Sequence, residues 1–202
     1  FVKAKEDFYE AFKKFDDIGF SKRVEVVPYF VVSHMLIKSE TVIDVFSTPS
    51  INSQSNHPTI LPLKQLNLAF MANDIIEFDR VLPTALIIFA GEKNMEILLY
   101  EIRRIVLNHA VYDFCQSFTN VEVVFIANQL QVSEEDAQYA VVHLISNRIL
   151  SGLYEDDTHS VSIFKKTEPS PFLSNVGPLI REMKMTLSSI SRSERVHIRQ
   201  SF

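Results

Sequence analysis

Apolar residues fall at steps of three and four along most of this chain, the period that turns one helix face toward a core. From Val2 to Ile18, Ala4, Phe8, Ala11, Phe12 and Phe15 share such a face, and Gly19 is placed to stop the helix. Ser21 is a natural N-cap for a second helix, Lys22 to Ser39. That stretch holds Pro28, which costs about 3 kcal/mol inside a helix, and a strand over Val24 to Val32 competes with it. The three-to-four step through Val27, Phe30, Val31, His34 and Ile37 favours the helix. Thr41 to His57 is rich in Ser, Thr and Asn, has no sustained period, and reads as a loop. Pro58 and Pro62 open a helix with Leu63, Leu66 and Phe70 on one face. Asn73-Asp74 breaks it and caps a short helix, Ile75 to Leu82, that Pro83 ends. Asn94 caps a longer helix through Ala110, with Leu98, Glu101, Ile102, Ile105 and Val106 along it. Helix pairs with short turns are the units of helical-repeat solenoids.

Phe118 to Lys166 organises the rest, and the pattern predicts helix, turn, helix and hairpin, a winged helix. Thr119 or Asn120 caps the first helix, whose apolar positions are Val123, Ile126, Ala127 and Leu130. Ser133 begins Ser-Glu-Glu-Asp, a capping-box-like start worth about 1 kcal/mol. The second helix buries Ala137, Ala140, Val141, Leu144 and Ile145. Beyond Arg148 the period changes to two, and strands over Ser151 to Glu155 and Val161 to Lys165 flank the polar run Asp156 to Ser160. The strand Val161 to Lys165 is expected at a sheet edge, open to strand addition by a partner.

Glu168-Pro-Ser-Pro-Phe is a linker, and Gly177-Pro178 starts a last helix. Its seam is Leu179, Ile180, Met183, Leu187 and Ile190, with Arg181, Glu182, Lys184 and Ser188 facing away. The expected class is therefore mostly α. A helical-repeat, tetratricopeptide-like segment occupies 1–111, a winged-helix subdomain with a small β-hairpin 112–166, and the linker and C-terminal helix 167–202.

Charge changes what the winged helix can be used for. A recognition helix sets its N-terminal residues against bases and phosphates. Here those residues are Glu134, Glu135 and Asp136, which phosphates repel. From Thr119 to Lys166 the acids are Glu122, Glu134, Glu135, Asp136, Glu155, Asp156 and Asp157, against Arg148, Lys165 and Lys166. The whole chain carries −5, giving no general attraction to nucleic acid or anionic membrane. Only 4 glycines occur, none clustered as Rossmann or P-loop sites require. The single cysteine, Cys115, lies among Val111, Phe114 and Phe118 and reads as a buried thiol, so no disulfide forms within the chain. The chain opens on Phe1 in mid-helix pattern, as expected of a C-terminal fragment of something longer.

Helical repeats leading into a winged helix and a trailing helix resemble the PCI-domain family. That family builds the proteasome lid, the translation initiation factor scaffold and the cullin-deneddylating photomorphogenesis signalosome. Asp7 to Gly19 (DFYEAFKKFDDIG) is similar to the family's phenylalanine-rich helix, and Met35 to Ser39 (MLIKS) to the end of its next helix. His57 to Leu82, with HPTIL and AFMANDIIEFDRVL, is similar in order and spacing to signalosome second subunits. Pro28, Ser117 and the Thr41 to His57 loop depart from that pattern, and the paralogous lid subunit is the alternative. The resemblance implies a non-catalytic scaffold in the cytoplasm and nucleus, bound to other PCI subunits, with a cullin-RING ligase reached through N-terminal repeats.

Candidate chemistry is sparse. His34, His57, His109, His143, His159 and His197 form no HExxH or His-x-His pair, so neither a catalytic set nor a metal or cofactor site is expected. Asp16-Asp17 and Asp156-Asp157 read as solvated acids, and Phe8, Phe12 and Phe15 as core. The expected partner-binding residues are Val161, Ile163 and Phe164 on the wing, with Leu179, Ile180, Met183, Leu187 and Ile190 on the last helix. Two functions follow. One is a scaffold docking through these residues; the other is a nucleic-acid binder using the winged helix with Arg192, Arg195 and Arg199.

Overall fold

A computed structural model describes residues 1–37 and 44–164, and Phe1–Phe164 form one compact unit. Helix α1 (Val2–Asp17) turns over Gly19, which stands at φ +65°. There the Gly19 amide bonds the Asp16 carbonyl and the Phe20 amide the Phe15 carbonyl, the two bonds of a Schellman stop. Helix α2 (Arg23–Met35) keeps Pro28 inside it, so the helix prevails over the strand reading. Burial explains why: Val27, Pro28, Phe30, Val31, Val32 and Met35 all enter the core, and α2 packs along α1 through stacked Phe8–Tyr29 and Tyr9–Phe30 rings.

The expected loop before His57 is structured from Asp44 onward. A 3₁₀ turn (Val45–Ser47) and helix α3 (Pro49–Asn52) drive Val45, Phe46 and Ile51 into the core. Asp44 organises the turn, accepting from the Phe46 amide at 3.0 Å and from the Asn67 side-chain amide at 3.0 Å. Both elements are too short to display a period, so their composition reads as loop.

Helix α4 (Leu61–Met71) has Pro62 in its first turn, as the sequence indicates. Helix α5 (Ile75–Ile88) is capped by Asp74, which accepts from the Glu77 amide at 3.0 Å. It does not end at Pro83. The proline is exposed and removes one backbone donor, while Val81, Leu82 and Ala85 keep the buried face continuous beyond it. Helix α6 (Lys93–Cys115) begins after Glu92 rather than at an Asn94 cap, and runs past Ala110 to bury Val111 and Cys115.

Strand β1 (Asn120–Glu122) stands where Thr119 or Asn120 were expected as caps. Helix α7 (Val123–Leu130) follows without a side-chain cap and ends on Gln131 at φ 54°. Helix α8 (Glu134–Ser146) is capped as expected, Ser133 Oγ accepting from the Asp136 amide at 3.1 Å. Strands β2 (Gly152–Glu155) and β3 (Ser160–Ile163) complete an antiparallel sheet of order β1-β3-β2. The described fold is thus mostly helical with one small sheet. The linker, the last helix and its seam lie outside the described residues, as do Lys165 and Lys166.

Candidate partner-binding site

The wing was expected to offer β3 as its free edge, and the topology corrects this. β3 pairs with β1 through Asn120–Ser162, Val121–Val161 and Glu122–Ser160, and with β2 through Gly152–Ile163 to Glu155–Ser160. Its backbone is satisfied on both sides. The overlooked three-residue β1 is the reason, since without it a two-stranded hairpin leaves β3 at an edge. Val161 and Ile163 point into the chain's own core, at 0% and 6% exposure, whereas Phe164 stands out at 60%.

Among the described residues the open edges belong to β1 and β2. The Phe164 amide bonds the Ser151 carbonyl and the Ile163 amide the Thr119 carbonyl, both at 2.8 Å, which sets the alternation of the two ladders. Gly152 and Tyr154 then turn their backbone groups away from β3 on one side, and Asn120 and Glu122 do so on the other. Gly152 has a packing reason as well: a Cβ there would lie 2.6 Å from the Ser162 carbonyl oxygen.

The two sheet faces differ sharply. Val121, Val161, Ile163 and Tyr154 lie on the core side. Across the other face, Asn120, Ser162 and Leu153 form one row and Glu122, Ser160 and Glu155 the next. Leu153 is 54% exposed.

At the start of α8, Glu134 and Glu135 are exposed and Asp136 is held within the fold. Arg103 of α6 makes a two-pronged contact with Asp79 of α5, at 2.7 Å from both Nε and Nη2. The same Nη2 reaches Asp136 at 3.0 Å. The Asp79 hydrogen bonds hold the guanidinium above its usual range, with the Asp136 charge adding to them. Nothing in local sequence signals this junction, because the partners lie 24 and 33 positions away. Arg104 pairs with Glu101 at 2.7 Å, while Tyr139 stacks on His143.

Chemistry-bearing groups are scattered. Cys115 is fully buried and burial pushes its thiol up to about 11, leaving it without thiolate character at neutral pH. Among the described residues no three His, Cys, Asp or Glu side chains are grouped to hold a metal ion. No helix among them is long and apolar enough to cross a membrane.

Comparison with known proteins agrees with this architecture. Residues 84–155 match the PCI domain. The chain is 25% identical over 185 residues to COP9 signalosome complex subunit 2 of Dictyostelium discoideum, an overlap of 88% of this chain and 41% of that protein. It is 30% identical over 154 residues to the Caenorhabditis elegans subunit 2, covering 74% of this chain and 29% of that one. With subunit 2 of Schizosaccharomyces pombe it shares 28% identity over 182 residues, 87% of this chain and 40% of the relative. The chain spans less than half the length of each of these relatives. The match over 84–155 runs from mid-α5 into the wing, so this stretch carries the likeness to the PCI domain, while the signalosome subunit 2 relatives align along most of the sequence.

Proposed function

We propose that this chain is a non-catalytic scaffold subunit that joins a multi-subunit complex through its PCI domain. The complex is a signalosome of the kind that regulates cullin-RING ligases by deneddylation, working in cytoplasm and nucleus. Its immediate partners are other PCI-domain subunits. The names of the relatives support the type of complex.

The observation that carries the scaffold reading is the state of α8. A nucleic-acid reader needs the start of this helix basic and free to enter a groove. Here Glu134, Glu135 and Asp136 occupy the first turn, and Asp136 is held by Arg103. The edges of β1 and β2, unpaired among the described residues, remain for main-chain pairing with a neighbouring subunit. Leu179, Ile180, Met183, Leu187 and Ile190 offer a second anchor, since burying each such side chain is worth roughly 1.5–3 kcal/mol.

The test pairs a pull-down with a titration. Charged replacements at Met183 and Leu187 are expected to keep the circular dichroism of the chain and to lose partner subunits. A variant that unfolds assigns the seam to the chain's own core, and one that assembles normally removes it as an anchor. Duplex DNA and RNA are expected not to bind below about micromolar concentration at physiological salt. Tight sequence-dependent binding that vanishes on changing Arg148 favours the nucleic-acid reading instead.

A further inference from the structure

The outward face of the wing sheet is shaped to take a side chain. Its central strand contributes only serines there, Ser160 and Ser162, while larger residues of β1 and β2 rise on either side. The result is a trough along β3. Its open end holds about 450 Å³, lined by Asn120, Val121, Glu122, Glu155, Thr158 and Ser160.

Charge and apolar surface are segregated along it. Glu122 and Glu155 both pair in register with Ser160, so their Cβ atoms stand roughly 10 Å apart, two strand spacings, with the small serine between them. Thr158 bonds Ser160 at 2.7 Å and Glu155 at 3.3 Å, completing the floor at that end. Neither glutamate is ion-paired to a described residue. One step along the face, exposed Leu153 and then Phe164 supply apolar surface.

We propose that this trough is a docking site for a basic, apolar segment of a partner protein. A lysine or arginine of that segment enters between Glu122 and Glu155, and a neighbouring apolar residue rests on Leu153 and Phe164. Charge complementarity selects the occupant. Two carboxylates across a gap suit a guanidinium or ammonium, with Arg the better match because its planar fork serves both. A divalent cation would require more oxygen ligands than this pair supplies. The trough shares Glu122 with the β1 edge but uses its side chain, whereas edge pairing uses its backbone.

The experiment uses the whole chain and a twelve-residue peptide alternating leucine and arginine, with a peptide carrying neutral citrulline in place of arginine as its control. Binding is followed by calorimetry and by amide chemical shifts. The arginine peptide is expected to shift Glu122, Leu153, Glu155, Ser160, Ser162 and Phe164, and the citrulline peptide to bind at least about tenfold more weakly. The double variant Glu122→Gln/Glu155→Gln is expected to weaken the arginine peptide by a similar factor, as is Leu153→Ser/Phe164→Ser. Glu134→Gln/Glu135→Gln, the same charge change outside the trough, is expected to leave binding unchanged. Equal weakening by the two glutamine pairs, equal binding of both peptides, or shifts away from the sheet would each overturn the proposal. Self-association of the chain that covers these residues would overturn it in favour of a second copy.

Discussion

Arg103 closes the junction of three helices with one guanidinium, and removing it leaves two carboxylates facing each other. The Asp79 and Asp136 side chains are 28% and 41% exposed, so solvent screens part of the loss. Arg103→Ala is expected to cost about 1–2 kcal/mol in urea unfolding. Arg103→Lys should recover less than half of that, because a single ammonium cannot reproduce the fork. A lysine variant as stable as the wild type would contradict the geometry. Cys115 makes a second prediction. Its thiol is raised from 9.0 to about 11 by burial, so the fold favours the neutral form. Its contribution is fully present below pH 9 and is lost as pH rises toward 11, where the unfolded chain is already ionised. The stability difference between wild type and Cys115→Ala should therefore shrink by roughly 2–3 kcal/mol across that window. A constant difference counts against the burial. Of these two residues, only Cys115 is legible in sequence, through its apolar neighbours Val111, Phe114 and Phe118. Arg103 is silent because its partners come from elsewhere in the chain.

Elements with strong end signals are readable and short ones are not. Gly19, Asp74 and Ser133 each terminate or start a helix as their chemistry requires. Pro83 misleads because a proline on the exposed side of a helix removes one bond and leaves the buried stripe intact. Asn120–Glu122 is too short to show alternation, and missing it displaces β3 from centre to edge. The same pairing makes Gly152 a sensitive position. A Cβ there meets the Ser162 carbonyl oxygen, which is backbone and cannot rotate away. Gly152→Ala is expected to destabilise by about 1–3 kcal/mol and to speed amide exchange at Ser160–Ile163 while leaving α4 and α5 unchanged. Wild-type stability of this variant would show that the strands are not so closely paired.

Phe1–Phe164 hold together through a core that continues from α2 through α6 into α8, so the wing shares one packed core with the helices. Among the described residues this unit presents two open strand edges and an acidic trough. The β1 edge can be tested at Glu122, whose φ of −80° already suits proline. Glu122→Pro removes the outward amide of that edge, and Glu122→Gln removes only the charge. Loss of partner subunits with proline and retention with glutamine is the expected result for pairing through β1; equal effects would assign the contact to the side chain. The scaffold account itself rests most directly on what the chain holds in the cell. Affinity purification of the tagged protein under native conditions, with quantitative mass spectrometry, should recover other PCI-domain subunits in near-equal amounts. Recovery of the chain alone, or with nucleic acid and no PCI-domain protein, would contradict it.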